Sequence, residues 1–340
     1  MKRVTALISI VAALTMILAL VPGVALAAEE GSTTGSFQAG NGDPTVSAVG
    51  IYLTNHTTVV TSMSPQTEYA VKVTVTDNNT LADLSTVKVT IFYDSDGDDD
   101  AGDRPTSGNT QTGAILTCTV GVTPSWSIDP SASTTWSQNA TASVQPTLTD
   151  MSGDFWFHFK PGKVATEATD WDAYADADDG EGGTHGTLYD GSDYDMNWYG
   201  EVTVTGGPVS FGAVTLGQTD IPCTSPVSTT YISNGNYAEQ IKTDDGSGDA
   251  QWTGAASNVA LEETNTPGAG EFVLKADDDN NLTDAVQVKE SDYTDIAADE
   301  GQTGESGDLT TGNTLWLSLG STGILPGTYN GTIYYRIANR

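Results

Sequence analysis

The sequence predicts an all-β protein, two β-sandwich domains following a cleaved signal peptide. Three observations point there. Apolar residues recur with a period of two, the runs are short, and clusters of Gly, Asn, Asp and Pro separate them. Helical periodicity is nearly absent, the best candidate being a short stretch at residues 281–286. Many short strands joined by polar turns fit packed antiparallel sheets rather than a parallel α/β sheet.

The N-terminus reads as a secretory signal over residues 1–27. Lys2 and Arg3 form the positive start, residues 4–20 are mostly apolar, and Pro22 and Gly23 end the run. Ala25-Leu26-Ala27 supplies the small-x-small pattern of a cleavage site, so cut before Ala28 the mature chain is expected to be secreted, extracellular or at the cell surface. No later stretch reaches the roughly 18 apolar residues of a spanning helix, so no integral membrane segment is expected after cleavage. Residues 28–43, rich in Gly, Ser, Thr and Gln, read as a flexible leader.

From Val46 onward strands follow one another. Val71, Val73 and Val75 alternate with Lys72, Thr74 and Thr76; Val87, Val89 and Ile91 with Lys88, Thr90 and Phe92; Phe155, Phe157 and Phe159 with Trp156, His158 and Lys160. Leu315, Leu317 and Leu319, and later Ile333, Tyr335 and Ile337, continue the pattern. Strand-like residues 201–205 end at Gly206-Gly207-Pro208, and Val209 to Gly212 is expected to open a new strand. This sets the domains at 44–206 and 208–340, with 104–150 an elaborated insertion in the first.

Charge excludes some partners. Cleavage removes Lys2 and Arg3 from 12 basic residues and nothing from 45 acidic ones, leaving a net charge of −35. Such a chain repels nucleic-acid phosphates and anionic lipid, so neither is expected as a partner. The acid serves either solvation or divalent-cation binding.

The sharpest local feature is DSDGDDDAGD at 94–103. Alternating aspartates in a glycine-bearing loop point several carboxylates at one place, which suits the 6–8 oxygen ligands of Ca²⁺. Asp94, Asp96, Asp98, Asp100 and Asp103 are the predicted ligands. The run resembles the aspartate ladder of EF-hand and thrombospondin-type calcium loops. It departs from the EF-hand where Asp99 stands for the turn glycine and Pro105 for the bidentate glutamate, which leaves a loop after a strand. Two further acidic clusters, Asp170, Asp172, Asp176, Asp178, Asp179 and Glu181, and Asp277 to Asp279 with Asp284, read as surface turns.

Other passages resemble the immunoglobulin-like modules of prokaryotic secreted surface-layer and fibre-associated proteins. Residues 68–77 (EYAVKVTVTD) look like their B-strand region, and 171–179 like a late strand ending in an Ala-Asp turn. Residues 209–217 (VSFGAVTLG) look like an opening strand, and 325–333 (LPGTYNGTI) like a closing hairpin strand. The resemblance implies fold and location, and no activity.

Catalytic machinery is not evident. The three histidines are His56 and His185, expected in loops, and His158 on a strand beside Trp156. No His-Glu-x-x-His, nucleophile elbow or phosphate loop occurs, and the chain is read as non-enzymatic. Most of the seven tryptophans are expected in cores, whereas Trp156 and Trp316 oppose apolar faces and are placed at an interface. Cys118 and Cys223 either bridge or stay as buried thiols. Asn55, Asn78, Asn139, Asn281 and Asn330 begin glycosylation sequons. The expected function is therefore a structural or adhesive protein of a cell surface, fibre or matrix, Ca²⁺-stabilised, with self-association or other surface proteins as partners. The alternative is a secreted carbohydrate-binding module or glycan-active enzyme, with glycans as partners.

Overall fold

A computed structural model of the chain describes residues 33–37, 40–98, 100–183, 185–244 and 251–340. The expected signal peptide and its cleavage site lie outside these residues, as does Asp99 of the acidic loop. The chain divides into residues 1–40 and 41–340. The described residues of the first unit carry no regular structure, and every strand belongs to the second.

The fold is all-β. Its first half holds β1 (Thr45–Leu53), β2 (Ser62–Met63), β3 (Tyr69–Thr76), β4 (Thr86–Tyr93), β5 (Gly113–Thr119), β6 (Ser125–Asp129), β7 (Ser137–Gln138), β8 (Ser152–Lys160), β9 (Ala168–Asp178) and β10 (Gly186–Met196). They form a four-stranded sheet in the order β1-β3-β8-β7 and a six-stranded sheet in the order β2-β10-β9-β4-β5-β6. The 104–150 stretch supplies β5, β6 and β7, so it is woven into both sheets rather than inserted beside them.

Strand periodicity sets the core between these sheets. Val71, Val73 and Val75 of β3 face the same way as Phe155, Phe157 and Phe159 of β8; Val71 pairs with Phe157 and Val73 with Phe155. Val87, Val89 and Ile91 of β4 meet them from the other sheet, and all nine side chains are fully buried. At roughly 1.5–3 kcal/mol for each buried aliphatic or aromatic side chain, this layer dominates the stability of the half. Trp136 and Trp171 close one end of it, their rings 6.1 Å apart. Cys118 lies in the same core and Cys223 is buried in the second half, and both are free thiols. Burial pushes the Cys118 thiol up to about 12, which keeps it unreactive.

The two sheets are also tied by one hydroxyl. Tyr194 of β10 accepts the Ile51 backbone N–H at 3.1 Å and donates to Asp190 at 2.7 Å. Tyr194→Phe leaves that buried N–H unpaired, and is expected to cost about 1–3 kcal/mol in chemical denaturation. An unchanged unfolding midpoint would remove the tie from the account.

The second half holds β11 (Gly200–Thr205), β12 (Ile221–Pro222), β13 (Val227–Ser233), β14 (Tyr237–Thr243), β15 (Gln251–Gly254), β16 (Asn258–Leu261), β17 (Glu271–Asp277), β18 (Val286–Gln287), β19 (Thr294–Glu300), β20 (Asp308–Leu319), β21 (Tyr329–Asn330) and β22 (Ile333–Asn339). One sheet runs β11-β13-β20-β17-β16-β15-β21 and a smaller one β19-β14-β22. Leu274, Leu315 and Ile241 are fully buried in the cluster they share.

Several sequence expectations change here. β11, expected to close the first domain, pairs antiparallel with β13 and so belongs to the second set of sheets. Residues 209–212 form no strand; the Ser210 carbonyl accepts from Thr224 and its hydroxyl from the Gly212 amide, so the segment is not laddered. Residues 281–286 form no helix; the stretch is a turn leading into β18, and a 3₁₀ turn at Leu81–Asp83 is the one helical element among the described residues. Trp316 is 5 % exposed, enclosed by its own fold because β20 is flanked by β12, β13 and β17. No helix among the described residues is long and apolar enough to cross a membrane.

Buried and half-buried polar groups join the halves. The Asn234 amide group donates to the carbonyls of Ala165 and Asn197 at 2.8 and 2.9 Å, and its oxygen accepts from Tyr199 at 2.6 Å. Gln302 donates to the Val164 carbonyl at 2.7 Å, and Glu305 accepts from Ser133 and Thr135. A buried polar network of this kind fixes geometry because any displaced member loses its partner.

Candidate metal centre

The acidic loop leaves β4 at Tyr93. The Asp94 amide donates to the Asp170 carbonyl at 2.8 Å, which carries the β4–β9 ladder one residue further. Alternation places Asp94 on the face of Thr90 and Phe92, away from the core that takes Ile91. Register puts Asp172 and Tyr174 on that same face, opposite Phe92 and Thr90. The loop returns across it, and the Arg104 guanidinium stacks 3.8 Å from the centroid of the Tyr174 ring. Asp94 is thereby left only 2 % exposed.

Of the five predicted ligands the structure gathers three. Asp94, Asp96 and Asp103 each bring one carboxylate oxygen within 4.8 Å of the others. Asp98 and Asp100 stand outside this group and are exposed, and Asp100 accepts from the Gly102 amide within its own turn. Asp103 is positioned by Ser95, whose amide donates to it at 2.9 Å and whose hydroxyl donates to the same oxygen. Those bonds hold the Asp103 carboxyl below its ordinary range. Burial, and then the Asp96 carboxylate, push the Asp94 carboxyl above its own. One Asp94 oxygen accepts from Gly97 at 3.3 Å, while Oδ2 is buried with no hydrogen-bond partner. A buried, unpartnered carboxylate oxygen beside two more carboxylates is costly without a counter-charge. A divalent cation would supply that charge: three carboxylates are hard-oxygen donors, and Asp96 and Asp103 are open to solvent.

The other acidic clusters resolve differently. Asp176 and Asp178 face His185, with contacts of 3.2 and 3.7 Å, and are occupied by that ring. Asp172 is fully buried; Tyr189 donates to Oδ2 at 2.9 Å and Oδ1 has no partner, and burial first pushes its carboxyl up to about 6. Sequence reasoning grouped Asp172 with surface turns, although its place opposite Phe92 puts it beneath the acidic loop. Asp277, Asp279 and Asp284 also bring oxygens within 4.8 Å of one another. There Asp277 accepts from the Asp279 and Asn281 amides at 3.1 and 2.7 Å, the bonding of a self-contained turn.

One further buried carboxylate belongs to none of the three clusters. Glu239, on β14 between β19 and β22, is 2 % exposed and accepts from Thr310 at 3.1 Å, while Oε2 has no partner. Burial, with lesser repulsion from Asp278, Asp308 and Glu300, pushes its carboxyl up to about 8.

A separate groove of about 520 Å³ opens in the second half between residues 208–216 and 324–330. Phe211, Trp252, Phe272 and Tyr329 are its aromatic walls. None of the seven tryptophans is exposed. Compared with known protein families and with characterised proteins, the chain matches none.

Proposed function

We propose that this chain is a secreted structural or adhesive protein of a cell surface, fibre or matrix, built from two immunoglobulin-like β-sandwiches and stabilised by Ca²⁺ at Asp94, Asp96 and Asp103. The observation that carries the reading is the Asp94 carboxylate, enclosed under its own loop with an unpartnered oxygen beside the Asp96 and Asp103 carboxylates. The all-β frame and the signal-like N-terminus support location and architecture. Cation binding also offsets part of a net charge of −35, which otherwise opposes association between copies.

Purified mature protein is expected to form oligomers or fibres in calcium, visible by electron microscopy and light scattering, and to disperse in chelator. Removal of residues 28–43 is expected to weaken assembly. Monodisperse monomers in both conditions would overturn the self-association reading.

The aromatic groove favours a second reading, a carbohydrate-binding module. Glycan binding that is lost in Trp252→Ala, in a protein that stays monomeric, would replace the first reading with this one.

A further inference from the structure

Of three histidines in the chain, two meet across 102 residues of sequence: His56 Nε2 lies 2.8 Å from His158 Nε2. His158, on β8, is 5 % exposed, and its Nδ1 lies 3.2 Å from Glu68 Oε1. A carboxylate only accepts, so that Nδ1 bears hydrogen, Nε2 of neutral His158 is an acceptor, and the proton between the rings comes from His56. The His56 ring lies flat on Trp156, centroids 4.0 Å apart and planes 9° apart. Its backbone holds φ at 61°, inside a turn braced by Asn55, whose side-chain oxygen accepts from the Thr57 and Thr58 amides at 3.0 Å each.

That turn has a second role. β1 is the end strand of its sheet, and the 54–60 segment folds back along it. Leu53 donates to the Thr58 carbonyl at 2.8 Å, Val60 donates to Ile51 at 3.1 Å, and Tyr52 bridges Val59. These bonds occupy the last edge positions of β1.

We propose that His56 and His158 form a proton-operated latch, which holds the 54–60 turn on the edge of β1 at neutral pH and releases it on acidification. The pair accommodates one added proton, because a singly protonated pair still has one donor facing one acceptor. Two added protons set N–H against N–H at 2.8 Å, and the contact breaks. The charged groups around it sharpen the response. Glu68 draws the first proton to the pair, while Lys160 beside Glu68, and Lys72 over the Tyr52 ring, add positive charge that opposes the second. Burial, and then His158, hold the His56 ring below the ordinary histidine value of 6.5. A base with a lowered folded pKa leaves stability intact above 6.5 and removes it as pH falls below. Release frees the Ile51 carbonyl and the Leu53 amide and carbonyl at this edge for a strand from another chain, while the Ile51 amide stays on Tyr194.

Hydrogen exchange on the full chain tests the latch, at about pH 7.5 and about pH 5 and corrected for intrinsic rates. The Leu53 and Val60 amides are expected to exchange at least about tenfold faster at the lower pH, while Val71 and Val73 in β3 hold. His56→Asn, which tolerates the left-handed backbone, is expected to expose the turn at both pH values and remove the dependence. His185→Asn is expected to keep it. Equal protection of the wild-type turn at both pH values would overturn the proposal, as would a dependence that survives in His56→Asn.

Discussion

Calcium is expected to raise the melting temperature of the wild-type protein by several degrees, and Asp94→Asn to abolish the rise. A ligand that binds only the folded state stabilises it by about 2.7 kcal/mol at a hundredfold excess over Kd. For a chain of this size that corresponds to a shift of roughly 4 °C. Asp94→Asn keeps the shape and the bond from Gly97 while removing the buried charge, so the metal-free variant is expected to melt slightly above metal-free wild type. Asp96→Asn is expected to weaken the calcium response and Asp98→Asn, outside the gathered group, to leave it nearly intact. Scanning calorimetry in calcium and in chelator reads all four proteins. Identical wild-type melting in the two solutions would return the loop to a solvated acidic turn.

Alkaline pH is expected to destabilise the second half through Glu239. With a folded pKa near 8 against an ordinary 4.5, this carboxyl stays protonated in the fold over a range where the unfolded chain has ionised. Its stabilising share is complete below 4.5 and is lost as pH rises through about 8. At about 1.4 kcal/mol per pH unit the loss is on the order of 5 kcal/mol. Glu239→Gln retains an acceptor for Thr310 and cannot ionise, so its melting temperature is expected to fall less between about pH 5 and about pH 9 than that of the wild type. A wild-type curve parallel to that of the variant would show that Glu239 is charged in the fold and compensated by other means.

Periodic residues in half-buried strands were legible because burial on one face is written directly as alternation. Val71 to Val75, Val87 to Ile91 and Phe155 to Phe159 all bury the predicted side. β20 was harder, since Thr314, Trp316 and Ser318 are buried as fully as Leu315, and a strand covered on both faces loses its polar marker. Pairing partners leave no local trace. The Gly206-Gly207-Pro208 break ends β11 as expected, yet hydrogen bonds from across that break decide where the strand belongs. Residues 209–212 carry strand-like alternation and lack a neighbouring strand to use it. The acidic cluster was legible as a location, and which of its carboxylates converge was not. Six aspartates within ten residues look equivalent until register buries Asp94 and leaves Asp98 exposed. His56 and His158 were visible singly, and only the fold brings them together.

The passage from β10 to β11 has a mechanical meaning for any protein that must bear load. Three residues separate Met196 from Gly200, and Asn234 grips the chain there through the Asn197 carbonyl and the Tyr199 amide. Tension applied along the chain cannot be absorbed by a slack linker at this point. It passes into the β11–β13 ladder, where six residue pairs from Gly200 to Thr205 lie in register. The halves would therefore stretch as one stiff unit, yielding at an inter-strand ladder rather than at a hinge.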